Sequence, residues 1–159
     1  MKKPYRVLME NAYYHVISRG NQKQKVFHEE GDFEKYLSLL KRYKVKFKFR
    51  LYAWCFMPNH VHLIVDVNNP SDLAKIMHGL NLAYARWFNH KYNKVGHLWQ
   101  GRFKNMLIQK DQYALDCINY IELNPVRANI KQAPLDYKWS SFRQRTIGTK
   151  SGLLDNLNL

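Results

Sequence analysis

The chain has 159 residues, 46% of them hydrophobic, which is enough for one globular domain with a real core. It carries 26 Lys+Arg against 12 Asp+Glu, a formal net charge of +14. Such an excess points to a polyanionic partner, most simply nucleic acid; a basic ribosome-associated or membrane-surface protein is the bland alternative. No stretch reads as a membrane span and Met1–Pro4 leads into no secretory core. Two cysteines, Cys55 and Cys117, are too few for a disulfide framework and read as free thiols in a reducing compartment. Eleven tyrosines and four tryptophans supply faces on which unpaired bases can stack.

Met1–Glu10 is mixed and reads as a basic arm. Tyr13–Ser18 follows as a first strand and stops at Arg19-Gly20-Asn21, where glycine permits a sharp turn. Arg19 there either holds a phosphate or base edge or simply faces solvent. Asp32 is placed to cap a helix whose apolar stripe is Phe33, Tyr36, Leu37, Leu40 and Tyr43. From Lys44 the period changes to two. Lys44, Lys46, Lys48 and Arg50 alternate with Val45, Phe47 and Phe49, which predicts entry into a strand with a basic, phosphate-facing or merely solvated edge.

The centre of the chain is a hairpin. Phe49–Phe56 and the stretch from His60 to Asp66 read as strands, with Pro58-Asn59 as the turn, Asn tolerating left-handed geometry. With a strand period of two, Val61, Leu63 and Val65 share one face and His60, His62 and Ile64 the other. Two imidazoles side by side can reach one cation; two histidines on a half-exposed strand are the plainer reading.

Asn68–Ser71 is a loop ending in an N-cap. The next helix runs to about Asn89 on a stripe of Leu73, Ile76, Met77, Leu80, Tyr84 and Trp87. A polar stretch to His97 follows, with His97 a spare candidate ligand. Leu98–Ile108 reads as a fourth strand in which Arg102 and Lys104 share a face and offer phosphate contacts. Asp111 caps a third helix. Leu115 and Ile118, with Cys117 and Ile121, face inward, while Tyr113, Asp116, Tyr120 and Asn124 form a polar stripe. Pro125 breaks that helix near Asn124. The tail from Pro134 is irregular, with Trp139 and Phe142 packing on the body. The order of strand, helix, strand, strand, helix, strand, helix predicts a single α+β domain over 1–159, with a core of about 13–142. The arrangement expected is ferredoxin-like, a central antiparallel sheet with helices mainly on one face.

Four segments resemble one family. They are Met57–Leu63 (MPNHVHL), Gly96–Phe103 (GHLWQGRF), Tyr120–Ala128 (YIELNPVRA) and Trp139-Ser140-Ser141. Together they are similar to the single-tyrosine HUH transposases, in particular the REP-associated branch related to small insertion-sequence enzymes. The resemblance implies a ferredoxin-like enzyme that cleaves and rejoins single-stranded DNA beside hairpins. It works through a 5′-phosphotyrosine with a divalent cation, Mg²⁺ or Mn²⁺, in the bacterial cytoplasm or nucleoid. By position it makes Tyr120 the nucleophile, His60 and His62 metal ligands and Asn124 the third ligand. It places the Arg19–Asn21 turn near DNA. The expected DNA-binding set is Arg19, Asn21, Lys46, Lys48, Arg50, Arg102, Lys104 and Arg127. Chemistry within one chain and across a homodimer both fit. Of two rivals, a histidine-triad phosphohydrolase needs another histidine where Ile64 stands. The other is a domesticated DNA-binding protein of the same fold that does not cleave.

Overall fold

The computed structural model describes residues 12–148 and 153–157. The expected arm at Met1–Glu10 lies outside them. The elements are β1 (Tyr13–Arg19), α1 (Glu30–Phe47), β2 (Arg50–Met57), β3 (His60–Asp66), α2 (Asp72–Lys91), β4 (Lys104–Ile108), α3 (Gln112–Glu122), α4 (Asn124–Arg127) and α5 (Phe142–Ile147). The four strands form one antiparallel sheet in the order β2-β3-β1-β4. This is the expected ferredoxin-like arrangement, with β2 and β4 at the edges.

Strand alternation builds two layers of core. Tyr14, Val16, Trp54, Phe56, Val61, Leu63 and Val65 face α1 and α2, with Tyr36, Leu40, Leu80 and Tyr84 against them. The other sheet face carries Tyr13, Cys55 and Ile64, covered by Ala114, Ile118 and Ile121 of α3. So two long helices lie on one face, and α3 takes the opposite face, the one that bears the histidines. Tyr13, Tyr14, Tyr36, Tyr52 and Tyr84 are all buried. On α2 the expected stripe holds, except that Phe88 is buried where Trp87 is only partly so.

Several local expectations are corrected. The N-cap of α1 is Glu29, not Asp32; Asp32 sits at N3 and closes a reciprocal capping box with Glu29. Asp32 is fully buried and receives Lys91 Nζ at 2.6 Å and Tyr92 Oη at 2.5 Å, tying the start of α1 to the end of α2. The alternation at Lys44–Arg50 is not a strand. Residues through Phe47 stay helical, Lys48 caps α1 in the left-handed region and β2 begins only at Arg50. Local period two lost there to an established helix that propagates cheaply once nucleated.

The fourth strand is shorter than its sequence signal. Trp99 makes an isolated bridge to Gly20, Gly101 turns the chain at φ +60°, and only Lys104–Ile108 joins the ladder. Asp111 caps α3 as expected, accepting from Tyr113 N at 2.8 Å. Ala114 rather than Leu115 takes the fully buried position. The helix ends before Asn124, and Pro125 opens the single turn α4.

The tail is more ordered than expected, because it is stitched to β2. Phe56 N donates to Trp139 O at 2.8 Å, and the Trp139 ring stacks on Phe33 at 5.0 Å. Ser141 Oγ donates to buried Glu122 at 2.7 Å and accepts from Trp54 N at 3.0 Å. Arg145 Nε completes the cluster at 2.9 Å from Glu122. The Trp-Ser-Ser segment therefore fixes the C-terminal end of α3 against the sheet. That fixes the height at which Tyr120, two residues earlier, stands. Cys55 and Cys117 are free thiols. No helix among the described residues is long and apolar enough to cross a membrane.

Candidate active site

The site lies on the α3 face of the sheet, at the end where β1 finishes and β3 starts. The hairpin turn at Pro58-Asn59 brings β3 back along β2, so that His60 and His62 project toward α3. Asn59 does not use a left-handed conformation. Its amide oxygen instead lies 2.6 Å from His60 Nδ1. An amide oxygen can only accept, so His60 carries its proton on Nδ1 and keeps a lone pair on Nε2. That nitrogen points at Asn124, whose Nδ2 is 3.5 Å away. A half-turn of the amide would present its oxygen there.

His62 is buried, with a ring centre 4.8 Å from that of His60. Its Nδ1 lies 2.9 Å from Nε2 of His15, also buried. His15 has no expected role in the sequence reading. A histidine inside an otherwise apolar strand is the only local signal, and the β1–β3 register is needed to bring the two rings together. Burial lowers the basicity of all three rings. His15 falls to about 4, and His60 to about 4 with help from Arg19. His62 falls to about 2, through burial and then the charges of His60, His15, Arg19 and Arg127. The imidazoles are thus neutral at pH 7, the form that can ligate a cation.

A cleft of about 830 Å³ opens beside the pair, lined by His15, His62, Arg19, Met106, Asp116 and Tyr120, among others. Tyr113 and Tyr120 stand on its α3 wall, both exposed, as the polar stripe predicts. Arg127 folds back from α4. Its guanidinium carbon sits 3.9 Å from the centre of the Tyr120 ring, and its Nη2 donates to the Tyr120 carbonyl.

The structure sorts the remaining expected residues. Arg19 lines the cleft, and its backbone carbonyl accepts from Gln100 N at 2.8 Å. Gly20 is required less for backbone freedom than for space, because a Cβ there would meet Gln24 O at 2.2 Å. Asn21 follows, its N–H bonded to Leu98 O at 2.8 Å. Lys104 is exposed at the start of β4, paired with Ile17.

Other expected contacts lie elsewhere. Arg102 is not on β4 and shares no strand face with Lys104; it lines a groove beside α2. His97 lines that groove too, not the His60–His62 site. Arg50 pairs with Asp66 at 2.8 Å, at the far end of β3 and about 20 Å from His60 by strand rise. Lys46 and Lys48 close α1 at that same remote end, Lys46 over the Tyr43 and Phe47 rings. The basic run thus does not border the histidine site.

As a cation site the donor set is sparse. Among the described residues no group of three or more His, Cys, Asp and Glu side chains is placed to hold a metal ion. Two neutral imidazoles and an amide remain, a set that leaves most of a hard cation's sphere to water or to substrate oxygens.

An antiparallel sheet bearing a histidine pair, faced by an exposed tyrosine and arginine, defines the class of protein. Residues 8–124 match the family described as IS200-like transposases, and the chain belongs to that family. A Haemophilus influenzae protein named as a candidate REP-associated tyrosine transposase is 28% identical over 113 residues. That match covers 62% of this chain and 61% of the relative, so the chain spans about six-tenths of the curated relative's length. A solved REP-associated tyrosine transposase, bound to a REP hairpin, superposes with a TM-score of 0.76 at 18% identity. The superposition covers 100% of this chain and 92% of that one. A candidate transposase from Deinococcus radiodurans overlaps more loosely, with a TM-score of 0.49 at 22% identity over 77% of this chain and 96% of that one.

Proposed function

We propose that this protein cleaves and rejoins single-stranded DNA next to hairpins, with Tyr120 as nucleophile and a 5′-phosphotyrosine as intermediate. The observation that carries the reading is convergence. His62 and Tyr120 line one cleft, and Asn124, four residues after Tyr120 and just past the end of α3, meets His60. The solved relative holds a hairpin DNA, which supports the same class of substrate here.

His60 Nε2, His62 Nε2 and the Asn124 amide oxygen are the residues that would hold a divalent cation, Mg²⁺ or Mn²⁺. When bound, such an ion would polarise the phosphoryl group and offset negative charge developing on its oxygens. For His62 to ligate through Nε2 its proton must sit on Nδ1, and His15 Nε2, 2.9 Å from that Nδ1, is placed to accept it and hold that tautomer. Arg19, which lines the cleft, and Arg127, over the Tyr120 ring, supply positive charge for the phosphate. Tyr120 Oη attacks phosphorus and loses its proton to solvent, which reaches the half-exposed ring. The bond to the 3′ oxygen breaks, and that oxygen leaves as a 3′-hydroxyl after taking a proton. The phosphotyrosine keeps the phosphoryl bond, so a second 3′-hydroxyl can reverse the step and join strands.

The test is to incubate the protein with a 3′-labelled hairpin-bearing single strand and Mn²⁺, then resolve the products under denaturing conditions. A protein band carrying the label is expected. Tight DNA binding without any such band would leave the non-cleaving, domesticated reading.

A further inference from the structure

Asp116 and Tyr120 lie four residues apart on α3, and both line the cleft with His62. Side chains at that spacing are neighbours on a helix, and helical side chains lean toward the N-terminus. The Tyr120 ring therefore leans over the turn that bears Asp116. The same lean carries Tyr113, three residues earlier, away from Asp116. Among the described residues that line the cleft, Asp116 is the one acidic side chain. Its Oδ1 accepts from Gln112 Nε2 at 3.0 Å. That bond holds the carboxylate on the helix surface and leaves Oδ2 without a partner among the described residues.

Attack by Tyr120 releases a phenolic proton, and few groups around the ring can accept it. β1 contributes His15 and Arg19 to the cleft, and β3 contributes His62. With His15 Nε2 accepting from His62 Nδ1, as the ligating tautomer needs, His15 carries its own proton on Nδ1. His62 Nε2 is then the one free lone pair, and it faces the cation. A guanidinium has no acceptor, which removes Arg19 and also Arg127, set over the Tyr120 ring from α4. β4 brings only Met106, Leu107 and Ile108, none of which titrates. On α3, Tyr113 is itself a phenol, and burial pushes the Cys117 thiol up to about 11, so it stays protonated at neutral pH. The Asp116 carboxylate is the acceptor that remains.

We propose that Asp116 is the general base of the cleavage step, taking the proton of Tyr120 Oη, across no more than one water, as that oxygen attacks phosphorus. The proposal rests on Tyr120 being the nucleophile. The Oη–H bond breaks and its proton goes to Asp116 Oδ2, while the Oη–P bond forms. The bond from phosphorus to the 3′ oxygen breaks with its electron pair on that oxygen, which takes a proton from solvent. Asp116 is exposed, so it then passes its own proton to solvent and is reset. A phenol is a weak nucleophile until such an acceptor draws its proton away. DNA binding alone gives no reason for this side chain. A carboxylate beside the nucleophile repels the phosphate that a chain of net charge +14 otherwise attracts.

The test is the pH dependence of single-turnover adduct formation at saturating hairpin DNA and Mn²⁺. From about pH 6 to about pH 9 the wild-type rate should be flat. Asp116→Asn keeps the shape and the Gln112 bond but cannot take a proton. Its rate should be about 100-fold lower near pH 7 and climb about tenfold per pH unit, because only phenolate formed beforehand attacks. Asp116→Ala should show the same loss and regain part of the rate in formate, whose carboxylate fills the gap, while the wild type should not respond. The residue is exposed, so melting should not change in either variant. An Asp116→Asn rate within about threefold of the wild type, with the same flat profile, overturns the proposal. So does an equal loss at every pH with no response to formate, which is what a structural role gives. If the wild type forms no adduct at any pH, the nucleophile reading itself fails and takes this role with it.

Discussion

The guanidinium of Arg127 sits over the ring of Tyr120, its carbon 3.9 Å from the ring centre, while also bonding the Tyr120 backbone carbonyl. The contact is made possible by Pro125, which ends α3 and lets α4 turn back. One side chain therefore fixes both the backbone and the ring of the proposed nucleophile. Arg127→Ala should lower the single-turnover rate of adduct formation about tenfold at saturating DNA, by freeing the ring. Arg127→Lys keeps the charge but not the guanidinium's donors to the Tyr120 carbonyl, and should recover only part of the rate. Equal rates for wild type and Arg127→Ala would show that the contact plays no part.

Tyr120→Phe should fold, bind hairpin DNA as the wild type does and form no covalent adduct. The ring is half exposed, so loss of its hydroxyl leaves no buried group unpaired. Peptide mass mapping of the wild-type adduct should return Tyr120. An adduct on Tyr113, which stands on the same wall of the cleft, would move the nucleophile two turns along α3.

His62→Ala should abolish high-affinity Mn²⁺ binding, read by calorimetry. His15→Ala should weaken it about 10- to 100-fold, because His15 orients His62 without ligating. A half-exposed strand histidine would be dispensable to the fold, but His62 is buried and bonded to His15. Its loss should cost about 1–3 kcal/mol by leaving a buried imidazole unpaired. His15→Ala with wild-type Mn²⁺ affinity would remove His15 from the site.

Asp32 governs acid stability at the α1–α2 junction. Burial raises its pKa, but hydrogen bonds from Lys91, Tyr92 and the backbone N–H groups of His28 and Glu29 outweigh that and hold it below the usual carboxylate range. A depressed carboxyl stabilises the fold above its unfolded pKa, and that contribution is lost as pH falls through the lower folded value. Asp32→Asn should cost about 3 kcal/mol at neutral pH by stranding its partners. The gap between variant and wild type should close below about pH 4. A gap that stays constant from pH 7 to pH 3 in denaturant titrations would exclude the carboxylate as its source.

Backbone periodicity alone set much of this molecule. Alternation along β3 placed His60 and His62 on one face, helical spacing placed Tyr113, Asp116 and Tyr120 on one stripe, and Pro125 set the break beside Asn124. Each follows from geometry within a single element, so nearby residues determine it. Tertiary structure decided what meets that face. His15 reached His62 only through the β1–β3 register, a pairing between residues 47 apart in sequence. The basic run at Lys46, Lys48 and Arg50 looked like a phosphate-binding edge, yet α1 absorbed its first half and register carried Arg50 to Asp66, away from the site. Arg102 and His97 were sent to the α2 groove by the left-handed turn at Gly101 and the ties of residues 96–100. Side-chain direction within one element is local, but register and layer packing depend on long-range burial, which no short window of sequence contains.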